Sequence, residues 1–300
     1  MIFSESLAGA ETNPKTSPLV VFGEVLFDSF PDGQQILGGA PFNVAWSLCG
    51  FGQSPIFISA VGDDEEGRKI LSQTNMWGMS TEGLQTDVEH ATGLVQVTVD
   101  VDEPSYDICE RRAWDFIEDD GWLATDMIYH GLLALRSERS RATFEALVHR
   151  SRAKRFFDIN LRPPYDSMEL VKKWIRDVDW LKLNIDELQS LLGLPRIEFA
   201  DAAGAVEKLR AEYGIRNLLL TGGSQGACIF GESGQAACMP APRPDPFVDT
   251  VGAGDSFSAY TIHGILTGMP VAEIIKNASR FAARVCGIQG ATTLDRRFYQ

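Results

Sequence analysis

The sequence predicts an α/β fold with a mostly parallel central sheet and a smaller, half-exposed β layer. From residue 19 onward, apolar runs of strand length alternate with amphipathic segments of helix length. The earliest of these segments read strand, helix, strand, which is the pattern of a βαβ unit. With 300 residues, 44% of them hydrophobic, the chain is long enough to bury a sizeable core.

The first unit is built from three segments. "LVVFGEVLFD" (residues 19–28) is an apolar run that predicts a buried first strand, and the "FPDG" after it predicts a turn. "GGAPFNVAWSLCGFG" (residues 38–52) opens with glycines, continues at helical spacing and predicts a helix that ends at Gly50 and Gly52. "SPIFISAVGDD" (residues 54–64) predicts a second strand and a turn.

A different rhythm begins near residue 93. Valines at four alternate positions from 95 to 101 are separated by polar residues, which predicts a half-exposed antiparallel strand. Within a parallel α/β fold such a strand suggests a lid or a small second layer, and an edge hairpin is the alternative. From about residue 126 the α/β rhythm returns, and it ends in two amphipathic helices after Asp249.

Composition excludes several classes of function. The chain has 27 basic and 41 acidic residues, and this net charge of −14 disfavours nucleic-acid and anionic-membrane partners but not an anionic substrate. Five scattered cysteines without a CxxC pair predict reduced thiols and a cytoplasmic location. No apolar run approaches the length of a membrane span, and residues 1–17 lack the pattern of a signal peptide, so we interpret them as a disordered tail.

"DTVGAGDSFSAY" (residues 249–260) places two glycines and an alanine immediately before a helical pattern. The first turn of a helix has backbone N–H groups without partners, so a glycine-rich entrance predicts an anion site. Asp255 stands in this turn, where it has two interpretations. It can cap the helix, or it can take a proton from a hydroxyl that attacks a phosphoryl group held there.

Two further motifs have the same ambiguity. "LLLTGGSQGA" (residues 218–227) is a strand followed by a glycine-rich turn that would hold phosphates or be an ordinary β-turn. "KLNIDEL" (residues 182–188) puts Asn184 and Glu187 at a strand-to-helix junction, where they would organise Mg²⁺ through water or form a capping box. GxxxxGK[ST], GxGxxG and GxSxG motifs are absent, which disfavours P-loop, dinucleotide-binding and hydrolase functions.

Together these motifs resemble the ribokinase-like (PfkB) carbohydrate kinases. "GGAPFNVAWSLCGFG" is similar to their first signature, "DTVGAGDSFSAY" to their second, and "NIDE" and "TGGSQG" to their Asn-x-x-Glu and nucleotide-loop motifs. The resemblance implies a three-layer α/β/α domain over residues 18–300 with a discontinuous β-lid from about 31–38 and 93–112. It also implies transfer of the ATP γ-phosphate to a sugar hydroxyl, with Mg²⁺ and, as a further candidate, K⁺.

The resemblance also implies roles for particular residues. Asp255 would be the catalytic base, with an anion hole formed by Gly252, Ala253 and Gly254. The sugar would be bound by Asp28, Gly38, Gly39, Asn43 and Arg162, although Arg162 has a surface salt bridge as its alternative. The nucleotide would be bound by Asn184, Thr221, Gly223, Gly226 and Asn277. Glu187 would hold Mg²⁺ through water, and K⁺ would lie near Asp249, Val251 and Gly290.

The acceptor is predicted to be fructose, because "GEVLFDSFPDG" and "DINLRPPY" look most like fructokinase segments. The lid stretch "SYDICERRAWDFI" departs from the fructokinase pattern and leaves other acceptors open: ribose, 2-keto-3-deoxygluconate, a nucleoside or a sugar phosphate bound through Arg111 and Arg112. A catalytically silent sugar-binding protein is the alternative from another class, and the intact Asp255 turn disfavours it. The exposed lid face would suit a homodimer.

Overall fold

The computed structural model describes residues 15–99, 104–234 and 236–300, and these contain two β-sheets and eight α-helices. The strands are β1 (Lys15–Phe22), β2 (Leu26–Ser29), β3 (Gln35–Gly38), β4 (Ile56–Gly62), β5 (Leu84–Asp87), β6 (Gly93–Val99), β7 (Pro104–Ile108), β8 (Trp122–His130), β9 (Lys154–Asp158), β10 (Trp180–Asn184), β11 (Asn217–Thr221), β12 (Ala227–Phe230) and β13 (Ala236–Met239). The helices are α1 (Ala40–Gly50), α2 (Glu65–Trp77), α3 (Glu138–Arg150), α4 (Met168–Trp174), α5 (Ile185–Leu192), α6 (Ala203–Tyr213), α7 (Ala253–Leu266) and α8 (Val271–Val285).

The larger sheet has nine described strands in the order β13-β12-β11-β10-β9-β8-β1-β4-β5. Its pairs are parallel from β5 to β11 and antiparallel at β11–β12 and β12–β13. The carboxyl ends of its parallel strands therefore meet at one edge of the sheet, which is where ligands bind in open α/β folds. The predicted mostly parallel α/β architecture is confirmed.

Helices cover both faces of this sheet. Along β1, Val20 and Phe22 face one hydrophobic core while Leu19 and Val21 face the other, as the two-residue period of a strand requires. The first core receives buried side chains from each of α3 to α6, among them Phe144, Val171, Leu188 and Val206. The second core receives Leu48, Ile70, Ile262 and Ile274 from α1, α2, α7 and α8. The result is the three-layer arrangement that the resemblance implies.

The smaller sheet, here called the lid sheet, has the order β3-β2-β6-β7. The prediction of one strand over residues 19–28 is wrong, because the run divides at Gly23 into β1 of the large sheet and β2 of the lid sheet. Gly23 has a φ of +153°, and a Cβ on it would lie 2.3 Å from Cγ of Pro41. Part of the predicted 93–112 lid segment, residues 100–103, lies outside the described residues.

Two other expectations need correction. Residues 1–14 of the expected 1–17 tail lie outside the described residues, but Lys15 to Ser17 belong to β1 and pair with β8, with a register shift next to Pro18, which has no N–H to donate. Cys228 and Cys238 form a disulfide rather than remaining reduced. They are partners in the antiparallel β12–β13 pair, so the fold holds their side chains together. No helix in the described part of the chain is long and apolar enough to cross a membrane.

Candidate active site

Asp255 lies in the first turn of α7, and its side chain does not cap the helix. The N-cap residue is Gly252, and no side-chain cap hydrogen bond is formed at this end. The Oδ2 atom of Asp255 instead accepts a hydrogen bond of 2.8 Å from Nδ2 of Asn43 on α1. Burial raises the pKa of the Asp255 carboxyl, and this hydrogen bond acts in the opposite direction. A partly buried carboxyl group tied to the lid side of the molecule suits proton transfer better than capping.

The backbone around the start of α7 leaves no room for larger residues. Gly252 has a φ of +73°, and a Cβ on it would lie 2.2 Å from Cβ of Ala291. A Cβ on Gly254 would lie 3.0 Å from Nζ of Lys182. The buried ammonium group of Lys182 therefore stands beside the first turn of α7, in which the N–H of Ala253 donates to the Thr250 carbonyl at 3.2 Å. Both features favour an anion at this point.

Lys182 was not singled out from the sequence. It lies on β10, is only 6% exposed and forms an ion pair of 2.8 Å with Oδ1 of the fully buried Asp158. The other oxygen of Asp158 accepts a hydrogen bond of 2.9 Å from Oγ of Ser258 on α7. Burial alone would lower the pKa of Lys182, but the Asp158 carboxylate beside it holds this pKa above its ordinary value. This charged pair ties β9, β10 and α7 together directly beneath the glycine-rich turn. A lysine inside the apolar "WLKLN" was the available signal.

Four residues near the lid sheet form what we call the lid-side cluster: Glu24, Asp28, Asn43 and Arg162. Asp28 lies on β2, and a Cβ on Gly38 would come within 3.5 Å of its Oδ2 atom. Burial raises the pKa of Asp28 to about 6, against the opposing positive charge of Arg162. Asn43 is buried, and its Oδ1 atom has no hydrogen-bond partner. Polar atoms that are buried without partners are the atoms that a bound polar ligand satisfies.

Gly39 sits where the chain leaves the lid sheet. It has a φ of +106°, and a Cβ on it would lie 2.6 Å from the carbonyl oxygen of Glu24. The segments that enter and leave the lid sheet thus touch at this glycine, which gives a structural reason for glycine here, and its contact with a sugar stays a prediction.

Glu24 is the second residue that sequence reasoning missed. It is 4% exposed, and its Oε2 atom has no hydrogen-bond partner. Burial raises the pKa of Glu24 to about 7, and the negative charge of Asp255 contributes in the same direction. A carboxyl group inside the apolar run "VVFGEVLF" was the signal that could have identified it, because charged residues are rarely buried without a reason.

Arg162 is an exposed residue whose charge acts on this cluster. Its positive charge lowers the pKa of four carboxyl groups: those of Glu24, Asp28 and Asp255, and that of Asp166 close to it in the chain. Its backbone N–H donates to Asp166 and its guanidinium donates to the Leu161 carbonyl at 3.2 Å, and no side-chain salt bridge of Arg162 is present within the described residues. An exposed guanidinium that acts on these carboxyl groups is available to a substrate anion.

A cavity of about 290 Å³ begins at the start of α7 and extends between α8 and the nucleotide-loop motif. Its lining includes Thr221, Gly223 and Gly226 from that motif and Ala253 and Gly254 from α7. Gly226 has a φ of +111°, and a Cβ there would lie 2.2 Å from the carbonyl oxygen of Met239. Asn277, expected at this pocket, does not line it; α8 contributes Ser279, Ala282 and Ala283, and Cys286 directly after the helix also lines the cavity.

The lid-side cluster and the cavity meet at Asp255 and Gly254, so this site is placed to bring an acceptor and a phosphate donor together. Comparison with known proteins agrees, because residues 22–296 match the pfkB family carbohydrate kinase family. The chain belongs to this family. It is therefore a carbohydrate kinase, a phosphotransferase with an alcohol group as acceptor.

The similarity to individual relatives extends over nearly the whole chain. Fructokinase of Klebsiella pneumoniae is 30% identical over 294 residues, covering 91% of this chain and 92% of the relative. Fructokinase of Escherichia coli is 30% identical over 298 residues, covering 91% and 94%. The fold resembles that of Vibrio cholerae fructokinase with bound fructose, ADP and calcium, with a TM-score of 0.80, 22% identity and coverage of 95% and 98%. It also resembles Salmonella enterica aminoimidazole riboside kinase, with a TM-score of 0.78, 24% identity and coverage of 92% and 95%.

The Asn184–Glu187 pair of the kinase forms the capping box that local spacing allowed. Asn184 Oδ1 accepts from the Glu187 N–H at 2.9 Å, and Glu187 Oε2 accepts from the Asn184 N–H at 2.7 Å. The remaining oxygen of Glu187 accepts from the Leu161 N–H at 2.8 Å. Burial raises the pKa of Glu187, and the charge of Lys182 opposes this. Because both carboxylate oxygens accept backbone hydrogen bonds, neither is left free to coordinate Mg²⁺ directly, and binding of Mg²⁺ through water stays a prediction.

The proposed K⁺ residues also contact one another. Asp249 accepts hydrogen bonds from the N–H of Val251 at 2.8 Å and from that of Gly290 at 3.5 Å. This joins the loop before α7 to the segment after α8, next to the glycine-rich turn. The described residues contain no group of three or more His, Cys, Asp or Glu side chains placed to hold a metal. A cation here would therefore depend on backbone carbonyls, water or substrate oxygens for most of its ligands.

Proposed function

We propose that this kinase transfers the γ-phosphate of ATP to a hydroxyl of fructose, with Asp255 as general base. The observation that carries the proposal is the placement of Asp255 between Asn43 of the lid-side cluster and Gly254 of the cavity. The names of the fructokinase relatives support fructose as the acceptor, and the nucleotide in the V. cholerae structure supports a nucleotide in the cavity.

The mechanism follows from this placement. The sugar hydroxyl gives its proton to the Asp255 carboxylate while its oxygen attacks the phosphorus of the γ-phosphate, and the bond to the ADP oxygen breaks. Negative charge on the transferring group is met by the N–H groups of residues 252–254 and by the Lys182 ammonium. Arg162 would approach the same oxygens from the lid side. Asn184 and Glu187 would hold Mg²⁺ through water, and the ion would neutralise further phosphate charge.

In this proposal the acceptor is bound by Asp28, Asn43 and the backbone at Gly38. Asp28 accepts hydrogen bonds from sugar hydroxyls, and the unpartnered Oδ1 atom of Asn43 accepts another. Tyr106 on β7 is 54% exposed, and Oδ1 of Asp107 accepts a hydrogen bond of 3.1 Å from Tyr165. These lid residues differ from the fructokinase pattern, so they are where another acceptor would find its specificity. A cytoplasmic location and a homodimer through the lid sheet stay predictions.

The test is a coupled ADP-release assay with Mg²⁺-ATP and K⁺. The acceptor panel is fructose, ribose, tagatose, glucose, 2-keto-3-deoxygluconate, fructose 1-phosphate, fructose 6-phosphate and adenosine. The Asp255→Asn variant, prepared in parallel, reports any contaminating kinase. We expect a strong preference for fructose. Turnover with another member would overturn the fructose assignment and move specificity to residues 106–112. Silence with intact ATP binding would favour an untested acceptor or a non-catalytic sugar-binding protein.

A further inference from the structure

Ser279 has a hydroxyl group without a partner. It lies in the middle of α8, is 6% exposed and lines the cavity, and its Oγ atom accepts and donates no hydrogen bond in the described structure. A serine inside a helix usually bonds the carbonyl four residues earlier, as Ser190 does with Asp186 at 2.9 Å. A buried hydroxyl left unpaired is costly, so it indicates a partner that arrives with a ligand.

The position of Ser279 along α8 shows which part of a nucleotide it would meet. Helices α7 and α8 run antiparallel, because the Cys286 carbonyl after α8 accepts from the Val248 N–H just before the glycine-rich turn. At the opposite end a Cβ on Gly264 would lie 2.6 Å from Ile274. Ser279 precedes Cys286 by two turns, about 10 Å along the helix axis. It therefore lies away from the anion-binding end.

The rest of this part of the cavity has little ability to form hydrogen bonds. The side chains of α8 that accompany Ser279 are those of Ala282 and Ala283, and Cys286 follows directly after the helix. The segment between β13 and α7 adds the apolar side chains of Ala241, Pro242, Pro244 and Phe247. The hydroxyls of Thr221, Ser224 and Thr250 belong to the nucleotide loop and to the residues next to Gly252. An aromatic base fits such a lining, and Ser279 is the group that can contact its polar edge.

We propose that Ser279 binds the edge of the nucleotide base and that the donor site accepts both adenine and guanine triphosphates. A hydroxyl donates or accepts with equal ease, so it serves the 6-amino group of adenine and the 6-keto group of guanine alike. Among the cavity-lining residues no amide or charged side chain is present to discriminate between them. This inference rests on the proposed function, because it assumes that the cavity holds the phosphoryl donor.

Dissociation constants for ATP, GTP and inorganic tripolyphosphate test this on the full chain, compared between wild type and Ser279→Ala. We expect the variant to bind ATP and GTP about three- to tenfold more weakly, the loss expected for one neutral hydrogen bond. Tripolyphosphate has no base, so its affinity is expected to stay the same. The Tm of the free variant is expected to stay the same or rise, because no hydrogen bond of the free protein is lost. Ser190→Ala, on a helix outside the cavity, is the matched control and leaves all three affinities unchanged.

Two results would overturn the inference alone: an unchanged affinity for ATP in Ser279→Ala, or an equal weakening of ATP and tripolyphosphate. A wild-type protein that binds ATP but shows no measurable binding of GTP would also contradict it. Failure of the proposed function gives a different result, because wild-type protein would then bind neither nucleotide. The steady-state KM for fructose, measured alongside, is expected to be the same in both proteins.

Discussion

The lid-side cluster brings two carboxyl groups, an amide and a guanidinium together next to Asp255, whereas the cavity beyond Gly254 is lined by glycines, small apolar residues and a few hydroxyls. In the cluster, burial shifts pKa values upward, to about 7 for Glu24 and about 6 for Asp28. Along the cavity, the main feature is the absence of side chains at Gly254 and Gly226, where a Cβ would lie 3.0 Å from Lys182 Nζ and 2.2 Å from the Met239 carbonyl oxygen.

Substitutions in the lid-side cluster and in the cavity should therefore have different effects on binding. Binding through ionised side chains depends on pH and on the identity of each charged residue. Binding through backbone N–H groups depends on shape, does not titrate and is lost when a Cβ fills the space. Variants of the cluster should affect the acceptor and the pH profile, and variants of the cavity should affect the donor. Asp255 lies where the two sides meet. Its substitution should slow phosphoryl transfer while the affinities for ATP and for the sugar stay the same.

The largest effect is expected from Asp255→Asn. Asparagine keeps the size of the side chain but cannot take a proton, so turnover should fall about 10²- to 10⁴-fold, the usual contribution of a general base. Dissociation constants for ATP and sugar should change little. Asp186→Asn is the control, because it changes an exposed carboxylate in the first turn of another helix, α5. A turnover rate near that of wild type in Asp255→Asn would contradict the assignment of the base.

The next effect in size is expected from Gly254→Val. A Cβ at this position lies 3.0 Å from Nζ of Lys182, whose ion pair with Asp158 leaves it little freedom to move. We expect a loss of about 10²- to 10³-fold in kcat/KM for ATP, comparable to the loss of an oxyanion-hole donor. Gly204→Ala is the matched control, since a Cβ on this α6 residue meets nothing within 4 Å. Unchanged ATP turnover in Gly254→Val would show that the N–H groups here do not hold the transferring phosphate.

Asp28→Asn isolates the acceptor side. An ionised carboxylate that accepts hydrogen bonds from sugar hydroxyls is worth more than an amide, so KM for the sugar should rise about ten- to hundredfold while KM for ATP stays the same. In wild type, the pKa of Asp28 near 6 means that sugar binding should strengthen as pH rises through that value. This dependence should disappear in the variant. A rise in KM for ATP instead would contradict the separation of acceptor binding by the lid-side cluster from donor binding by the cavity.

The sequence was sufficient for the parts of the fold that depend on local pattern. Strand and helix alternation predicted the α/β architecture, and "DTVGAGDSFSAY" identified the turn that holds Asp255. The sequence was not sufficient where one continuous apolar run forms strands of two different sheets. Residues 19–28 are apolar throughout, and only the backbone at Gly23 shows that they form two strands. Hydrophobic pattern reports burial and does not report which sheet buries a residue.

Site residues show the same limit. Motif positions such as Gly254 and Asn43 were found because their neighbours are distinctive in sequence. Lys182 and Asp158 belong to ordinary strands, and they meet because β9 and β10 are adjacent. Ser279 rather than Asn277 reaches the cavity because two residues turn a helix by more than half a revolution. These contacts arise from tertiary packing, which local spacing does not encode.

The smallest effect on turnover is expected from Glu24→Gln. This variant should instead change how the free energy of unfolding depends on pH. The pKa of Glu24 is about 7 in the folded chain against an ordinary value of 4.5, because the carboxyl is buried. Between these values the folded state keeps a proton that the unfolded state has released. Wild-type stability from this group is therefore fully present below about pH 4.5 and is lost as pH rises through 7, by about 3 kcal/mol in total.

Glutamine removes this titration without changing the shape of the side chain. The free energy of unfolding of Glu24→Gln, measured by denaturant titration from pH 5 to pH 8, should therefore decline less with pH than that of wild type. Glu82→Gln, at an exposed glutamate, should follow the wild-type curve. Parallel curves for Glu24→Gln and wild type would mean that Glu24 does not titrate in this range. The lid-side cluster would then be less sensitive to pH than we propose, and Asp28 would be the group responsible for the pH dependence of sugar binding.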